Sequence, residues 1–484
     1  MSSIIIQNGR VIDPAQNLDG LYDVRVQNGR IAEISSNITA SPGDEVIDAS
    51  GKIVIPGMVD LHSHVYGGIG IEPDCAGIYT GVTTLVDAGS CGALTFLDFL
   101  AATENAKTNV LSVLFVEAMG ATDFKIHTDP KELGSLQIAT FAKLIEQYPD
   151  KIKGFKSLAL SDLQLPWVKM TKLLSEWFHK PTYYHIGNFR RNSLRIPMIA
   201  EMLSFLGKGD IITHCYTSEE GGLIVDGKPY PELLDALDRG LHLDLGHGKT
   251  GFSFESAKIL ADAGIYPHSI SSDVNTSNLR TPVKNITYVM SKMLALGFTL
   301  EQIVPMVTIN PAKVIHIDHM AGTMKPGYPA DISILQVETG EWTVEDTERN
   351  KLTTDKMIVP WKTLKDGIVY DADVEKMYEE ENHKFNVDRA NIPDKARMLD
   401  QQQKDFLNDL LKYVKCSKWE PELFQQSIHS LAAENGISLS KALEAIYISF
   451  GNRTFGPQAG WFLSNQCHSH YDFVVHRLQE VVNL

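Results

Sequence analysis

Pro56-Gly57-Met58-Val59-Asp60-Leu61-His62-Ser63-His64 is the stretch around which the chain is organised. A short apolar run, Ile53 to Ile55, reaches the Pro-Gly step. A second, Met58 to Leu61, ends in two histidines one residue apart. Residues i and i+2 of a strand face the same side. Both imidazoles can therefore aim at one ion from a stiff support. Taken alone the pair is equally two polar residues at a strand end; the rest of the chain supplies further ligands in a sensible order.

Before this stretch, residues 1–57 read as short strands. Asn8-Gly9 and Asn28-Gly29 are hairpin signals, and Asp13-Pro14 reads as a turn start. A small β-sandwich or partial barrel is expected there. From 58 to 325 strands alternate with helix-compatible segments. Candidate strand ends are Leu61, Thr84 to Val86, Val110 to Phe115, Ile152 to Phe155, Thr182 to His185, Ile211 to His214, Leu241 to Leu245, and Ser269 to Ser272. Eight such units predict an α/β fold, a TIM (β/α)8 barrel. An open doubly wound sheet is the competitor, but no GxGxxG follows the first strand and polar residues collect at many strand ends. Residues 326–372 return to strand-like text and are expected to complete the N-terminal sandwich, making that domain discontinuous. Residues 373–395 form a charged linker. Residues 396–484 are helical by pattern, with Phe406, Leu407, Leu410, Leu411 and Val414 at helical spacing and Leu443, Ile446 and Tyr447 on a shared face.

The 484 residues exceed what one hydrophobic core usually organises. A net charge of -16 argues against general nucleic-acid binding. Five scattered cysteines without a CxxC pair exclude a thiolate zinc site. No signal peptide and no apolar run of membrane-spanning length is evident, so no membrane association and a cytoplasmic location are expected.

Read only at the strand ends, the barrel presents His62 and His64, then Lys156, His185, His214 and finally Asp273. The C-terminal mouth of such a barrel is where catalytic residues converge. Four imidazoles and a carboxylate suit a borderline divalent ion such as zinc. An ion there lowers the pKa of water, and Asp273 is placed to take its proton and return it to a leaving group. His247, between two glycines at the end of strand seven, is a candidate for contact with a substrate carbonyl, or a supporting group. Arg190, Arg191 and Arg280 are candidates to grip a carboxylate. Tyr66 and Cys215 are candidate pocket walls, and Gly67, Gly68 and Gly70 let the loop after the histidines bend.

These motifs resemble the amidohydrolase superfamily, from residue 1 to about 370. Within it, Gly209 to Cys215, Leu243 to Gly248, Ile270 to Asp273 and Val307 to Ala312 resemble the amidohydrolase/deacetylase, dihydroorotase-like branch. The resemblance implies two zinc ions and an N6-carboxylated Lys156. His62, His64, Lys156 and Asp273 would hold the more buried ion, and Lys156, His185 and His214 the other. It implies a deacetylase- or deacylase-like hydrolase that cleaves an amide or ester bond of a small acylated carboxylate substrate through a bridging hydroxide. A cyclic amide hydrolase of the dihydroorotase or hydantoinase kind is the alternative. A non-catalytic barrel used as a binding scaffold, with a tRNA-contacting tail, is another. Dihydroorotases place an arginine two residues after the second histidine, where this chain has Tyr66. The branch usually has a histidine soon after the strand-eight aspartate, where this chain has Asn275. Barrels of this kind often associate, so a homo-oligomer is expected.

The tail carries a second resemblance. Gly456-Pro457-Gln458-Ala459-Gly460-Trp461-Phe462-Leu463 is similar to a motif in the C-terminal helical domain of class I lysyl-tRNA synthetases. RNA contact by this domain is the expectation that resemblance carries. The acidic balance of the chain and the lack of a synthetase catalytic domain argue against it, and a helix–turn–helix packing motif is the simpler reading.

Overall fold

The computed structural model describes residues 3–121, 136–188, 198–375, 378, 387–451 and 459–484. The chain divides into two compact units, Met1–Met377 and Tyr378–Leu484.

The first unit contains an eight-stranded mixed sheet. Its strands come from both ends of the unit: Ile4–Asp13, Leu18–Gln27, Arg30–Ser35, Glu45–Asp48 and Ile53–Pro56 from the start, Ile332–Glu345, Lys351–Lys365 and Ile368–Asp371 from the end. The seam is the antiparallel pairing of Ile53–Pro56 with Ile332–Leu335. Residues from both segments share one apolar core, including Val11, Val24, Val54, Ile332, Ile334 and Leu364. All eight strands belong to one hydrogen-bonded sheet.

The two Asn-Gly signals come out differently. Asn28 and Gly29 both take positive φ and turn the chain between paired strands, as a tight hairpin requires. Asn8-Gly9 lies inside the continuous strand Ile4–Asp13, at a register break between Ile6 and Gly9. Asn8 takes the left-handed conformation there, and a Cβ on Gly9 would sit 2.6 Å from Val54 Cγ2. The dipeptide makes a bulge under a close-packed neighbour.

Seven parallel strands follow: Met58–Ser63, Val82–Gly92, Asn109–Phe115, Ile152–Ala159, Thr182–Ile186, Asp210–Thr213 and His242–Leu243. They lie in chain order in one curled, partly closed sheet. Helices return the chain between most of them, among them Phe96–Thr103, Leu165–Phe178 and Pro231–Asp238. The expected eighth strand, Ser269 to Ser272, does not form a regular ladder. That segment makes isolated bridges only, Asp244 with Ser269 and Ser63 with Val274. The physical reason is local. Ser269 and Ser271 hydroxyls donate to Asp244, the Ser272 hydroxyl donates to Asp60, and Asp273 turns out of extended backbone with φ 49°. Backbone bonds still tie the segment to both flanks, through Leu245 N–H to Ser269 O and Asp273 N–H to His62 O.

The second unit is helical: Gln401–Cys416, Pro421–Glu434, Leu439–Gly451 and Ala459–Val482. Phe406, Leu407, Leu410, Leu411 and Val414 bury one face of the first helix. Asp400 caps that helix, accepting from Gln403 N–H while Gln403 Oε1 accepts from Asp400 N–H. The buried Arg477 donates to the Ser449, Asp388 and Asn391 carbonyls. No described helix is long and apolar enough to cross a membrane.

Candidate metal centre

His62 and His64 leave the first parallel strand side by side, as the two-residue spacing requires. Asp273 reaches them from across the sheet. His62 Nε2 lies 3.3 Å and His64 Nε2 3.2 Å from Asp273 Oδ1. Among the described residues these three are the His/Cys/Asp/Glu group whose ligand atoms all fall within 4.8 Å of one another. Lys156 Nζ donates to His62 Nε2 at 3.1 Å. His185 Nδ1 and His214 Nε2 face each other at 2.8 Å, and His214 Nε2 lies 3.9 Å from Asp273 Oδ2. All six residues line one cavity of about 600 Å³ at the C-terminal ends of the strands.

The donor set fits a metal ion, and the outer hydrogen bonds say so. The Thr213 hydroxyl donates to Asp244 Oδ2 at 2.9 Å, so it accepts from His62 Nδ1–H at 3.0 Å. His214 Nδ1–H donates to the Gly246 carbonyl at 2.5 Å. Both rings therefore turn a bare Nε2 lone pair inward, the tautomer a metal needs. His64 Nδ1 is tied to Ser90 Oγ at 2.8 Å. Burial also keeps the rings of His62, His185 and His214 neutral. It holds His62 well below the ordinary histidine value, with Lys156 adding to the effect. His185 is held well below by burial and by His214, and burial pulls His214 down to about 4 although Asp273 opposes it. Burial likewise pulls the Lys156 amine down to about 8, against the attraction of Asp273 and Asp244.

The other sequence candidates scatter. His247 is fully buried behind the cavity wall, not on it. Its Nδ1–H donates to the Gly248 carbonyl at 2.8 Å, and its Nε2 accepts from Lys292 Nζ at 2.7 Å. Both ring nitrogens are engaged in these internal bonds, the arrangement of the supporting role weighed from sequence. Tyr66 packs edge-on against Phe99 at 5.9 Å and does not line the cavity. Arg280 is half-buried and also off the wall. Arg190 and Arg191 lie outside the described residues. Cys215 is buried next to His214.

Sequence reasoning picked His247 from the loop Gly246 to Gly251 but missed its later residues, Lys249 and Thr250. The loop brings both to the cavity wall, and its glycine spacing was the available signal. Gly248 takes φ 53°, and a Cβ there would lie 2.3 Å from Asp273 Oδ2. Gly248→Ala is therefore expected to displace the aspartate and lower kcat/KM about 100-fold, the scale of an ångström-sized misplacement. Steady-state kinetics beside a thermal melt checks this; unchanged kinetics would mean the loop yields instead.

Residues 197–388 match the model of the Amidohydrolase family. A deacetylase of Agrobacterium fabrum is 30% identical over 332 residues, covering 67% of this chain and 79% of that protein. The chain belongs to the amidohydrolase superfamily. Among solved structures, an adenine deaminase superposes with a TM-score of 0.69 at 27% identity, over 77% of this chain and 100% of that one. A dihydroorotase superposes with a TM-score of 0.67 at 26% identity, over 76% and 99%. With the His62–His64–Asp273 cluster in its cavity, this amidohydrolase is a metal-dependent hydrolase.

Proposed function

We propose that this amidohydrolase cleaves a carbonyl–nitrogen bond in a small, carboxylate-bearing amide. The observation that carries this is the convergence of His62, His64 and Asp273 in a cavity of substrate size. Cyclic amides lead as substrates, ahead of the acyclic N-acyl compounds favoured from sequence alone. Likeness to a dihydroorotase structure over nearly its full length supports the ring amide. Likeness to the Agrobacterium deacetylase keeps the deacylase as the second reading. Tyr66, standing where dihydroorotases carry arginine, points to a ring amide other than dihydroorotate.

Bound between these residues, a divalent ion supplies Lewis acidity toward a carbonyl and makes water a stronger acid. The side chains do the rest. Asp273 holds the attacking water's proton on Oδ2 and delivers it to the leaving nitrogen. Ile69, Phe115 and Leu158 give the cavity an apolar wall that limits bulk water. Lys156, fully enclosed, is the candidate for carboxylation: the neutral amine attacks CO2, one proton leaves to solvent, and a carbamate anion remains. That anion, with His185 and His214, would complete a second ion site. Closure of the sheet into an eight-stave barrel, with Ser269 to Val274 as the eighth, belongs to the same reading, as do the domain boundaries drawn from sequence. For the tail, the synthetase resemblance leaves tRNA binding as the minor reading beside a packing role; residues 456–458 of that motif lie outside the described residues, and a filter-binding assay at low salt decides it.

Lys249, the second lysine on the cavity wall beside Lys156, is assigned to the substrate carboxylate. Lys249→Met is expected to raise KM roughly 10- to 100-fold for anionic substrates, the value of a charge-assisted hydrogen bond, with kcat little changed. A panel of ring amides and N-acetyl amino acids tests the function itself. Turnover of ring amides supports the lead, turnover of N-acetyl compounds alone supports the deacylase, and turnover of neither rejects both.

A further inference from the structure

The first unit has a second cavity, of about 610 Å³, at the opposite ends of the parallel strands. Pro181 and Gly209, which sit just before Thr182–Ile186 and Asp210–Thr213, form part of it, so it is separated from the metal centre by the length of the sheet. Its lining is basic in a chain whose net charge is -16. Four lysines, Lys172, Lys180, Lys208 and Lys313, share it with four histidines, and Glu176 is the one carboxylate on the wall.

Most of this positive charge is uncommitted. Lys172 is paired with Asp210 at 2.7 Å. Lys180 donates to the Pro149 carbonyl at 3.2 Å, with Asp150 as a more distant counter-charge. Among the described residues no ion pair holds Lys208 or Lys313, and both are exposed.

The two histidines on the floor are each held in one tautomer. The Ser269 hydroxyl donates to Asp244 at 2.6 Å, so it accepts from His242 Nε2–H at 2.9 Å. His268 Nδ1 accepts from Leu243 N–H at 3.0 Å, which leaves the second ring nitrogen carrying the proton. The two rings lie 5.1 Å apart and close the base of the cavity. Burial keeps both neutral, so His268 offers an N–H at the floor, His242 spends its own on Ser269, and the rim offers ammonium groups. Ammonium point charges above one N–H donor suit a phosphate group, and the volume is that of a small-molecule site.

We propose that this cavity is a second ligand site, taking a small molecule that carries a diphosphate group. Its rim lysines, Lys180, Lys208 and Lys313, neutralise the phosphates, and His268 donates from the floor. Local basic potential within an acidic protein concentrates such a ligand at this face.

The test is calorimetric titration of the full-length protein with inorganic pyrophosphate, and separately with ADP, at physiological ionic strength. The comparison is Lys208→Glu/Lys313→Glu, which reverses two exposed charges away from the metal centre. The wild type is expected to bind at least one of the two probes, and the double variant to bind it at least about tenfold more weakly with unchanged hydrolytic activity and melting temperature. Tighter ADP than pyrophosphate identifies a nucleotide; equal affinity identifies the diphosphate alone. No binding of either probe by the wild type overturns the proposal. So does equal binding by wild type and variant, which would place the anion at the metal centre.

Discussion

Asp273→Asn is expected to lower kcat/KM by at least about 10³-fold while leaving the fold intact. The size follows from two roles lost together. A positioned general base contributes roughly 10²–10⁴-fold, and the same carboxylate is one of the three converging metal donors. The asparagine keeps the shape but inverts the chemistry. Asp273 Oδ1 stands 3.3 and 3.2 Å from two ring nitrogens, of which His62 Nε2 carries an inward lone pair. An amide NH2 at that place donates to the lone pair and occupies the direction a metal would take. Backbone anchors do not depend on the charge: Asp273 N–H still donates to His62 O, and Asn278 Nδ2 still donates to Asp273 O. The variant should melt within a few degrees of wild type. Retention of more than a tenth of wild-type kcat/KM would remove Asp273 from the mechanism.

Lys156→Met carries the second large effect, expected near 10³-fold in kcat/KM with loss of bound metal. An ordinary lysine at neutral pH is almost wholly protonated and repels a metal ion. Lys156 is pulled down to about 8 by burial, so a substantial share is neutral amine near that pH. That form reacts with CO2, and the product is an anion instead of a cation. Methionine fills the same space against Tyr183 without either charge state. Metal content unchanged in Lys156→Met would show that the lysine is only a neighbour of His62.

What could be read from sequence followed element by element. His62 and His64 were legible because a strand fixes two-residue neighbours on one face. That Lys156, His185 and His214 share the cavity was legible because each lies toward the end of its strand, and the strand order brings these ends together. The helical unit was legible from the spacing of Phe406 to Val414, since an amphipathic helix advertises its buried face. Asn8-Gly9 misled because the same positive-φ preference serves a bulge as well as a hairpin. The place of the eighth strand was legible, since Ser269 to Val274 bridges both flanks, but its lack of a ladder was not: Ser269, Ser271 and Ser272 spend their hydroxyls on buried aspartates and Asp273 turns away.

His247 and Lys249 show the same boundary at the site. Both sit in the glycine-rich loop after strand seven, and sequence reasoning chose the histidine for its chemistry. The structure turns His247 onto the buried Lys292 and leaves Lys249 on the wall. The deciding partner lies 45 residues away, beyond any local pattern.

The central claim is that hydrolysis depends on an ion held by His62, His64 and Asp273. The direct measurement is metal content by mass spectrometry alongside kcat/KM, through chelation and stepwise zinc addition. Activity is expected to vanish with the metal, return with it and reach its maximum near about two ions per chain, the count of a binuclear site. Full activity in metal-free protein would contradict the account.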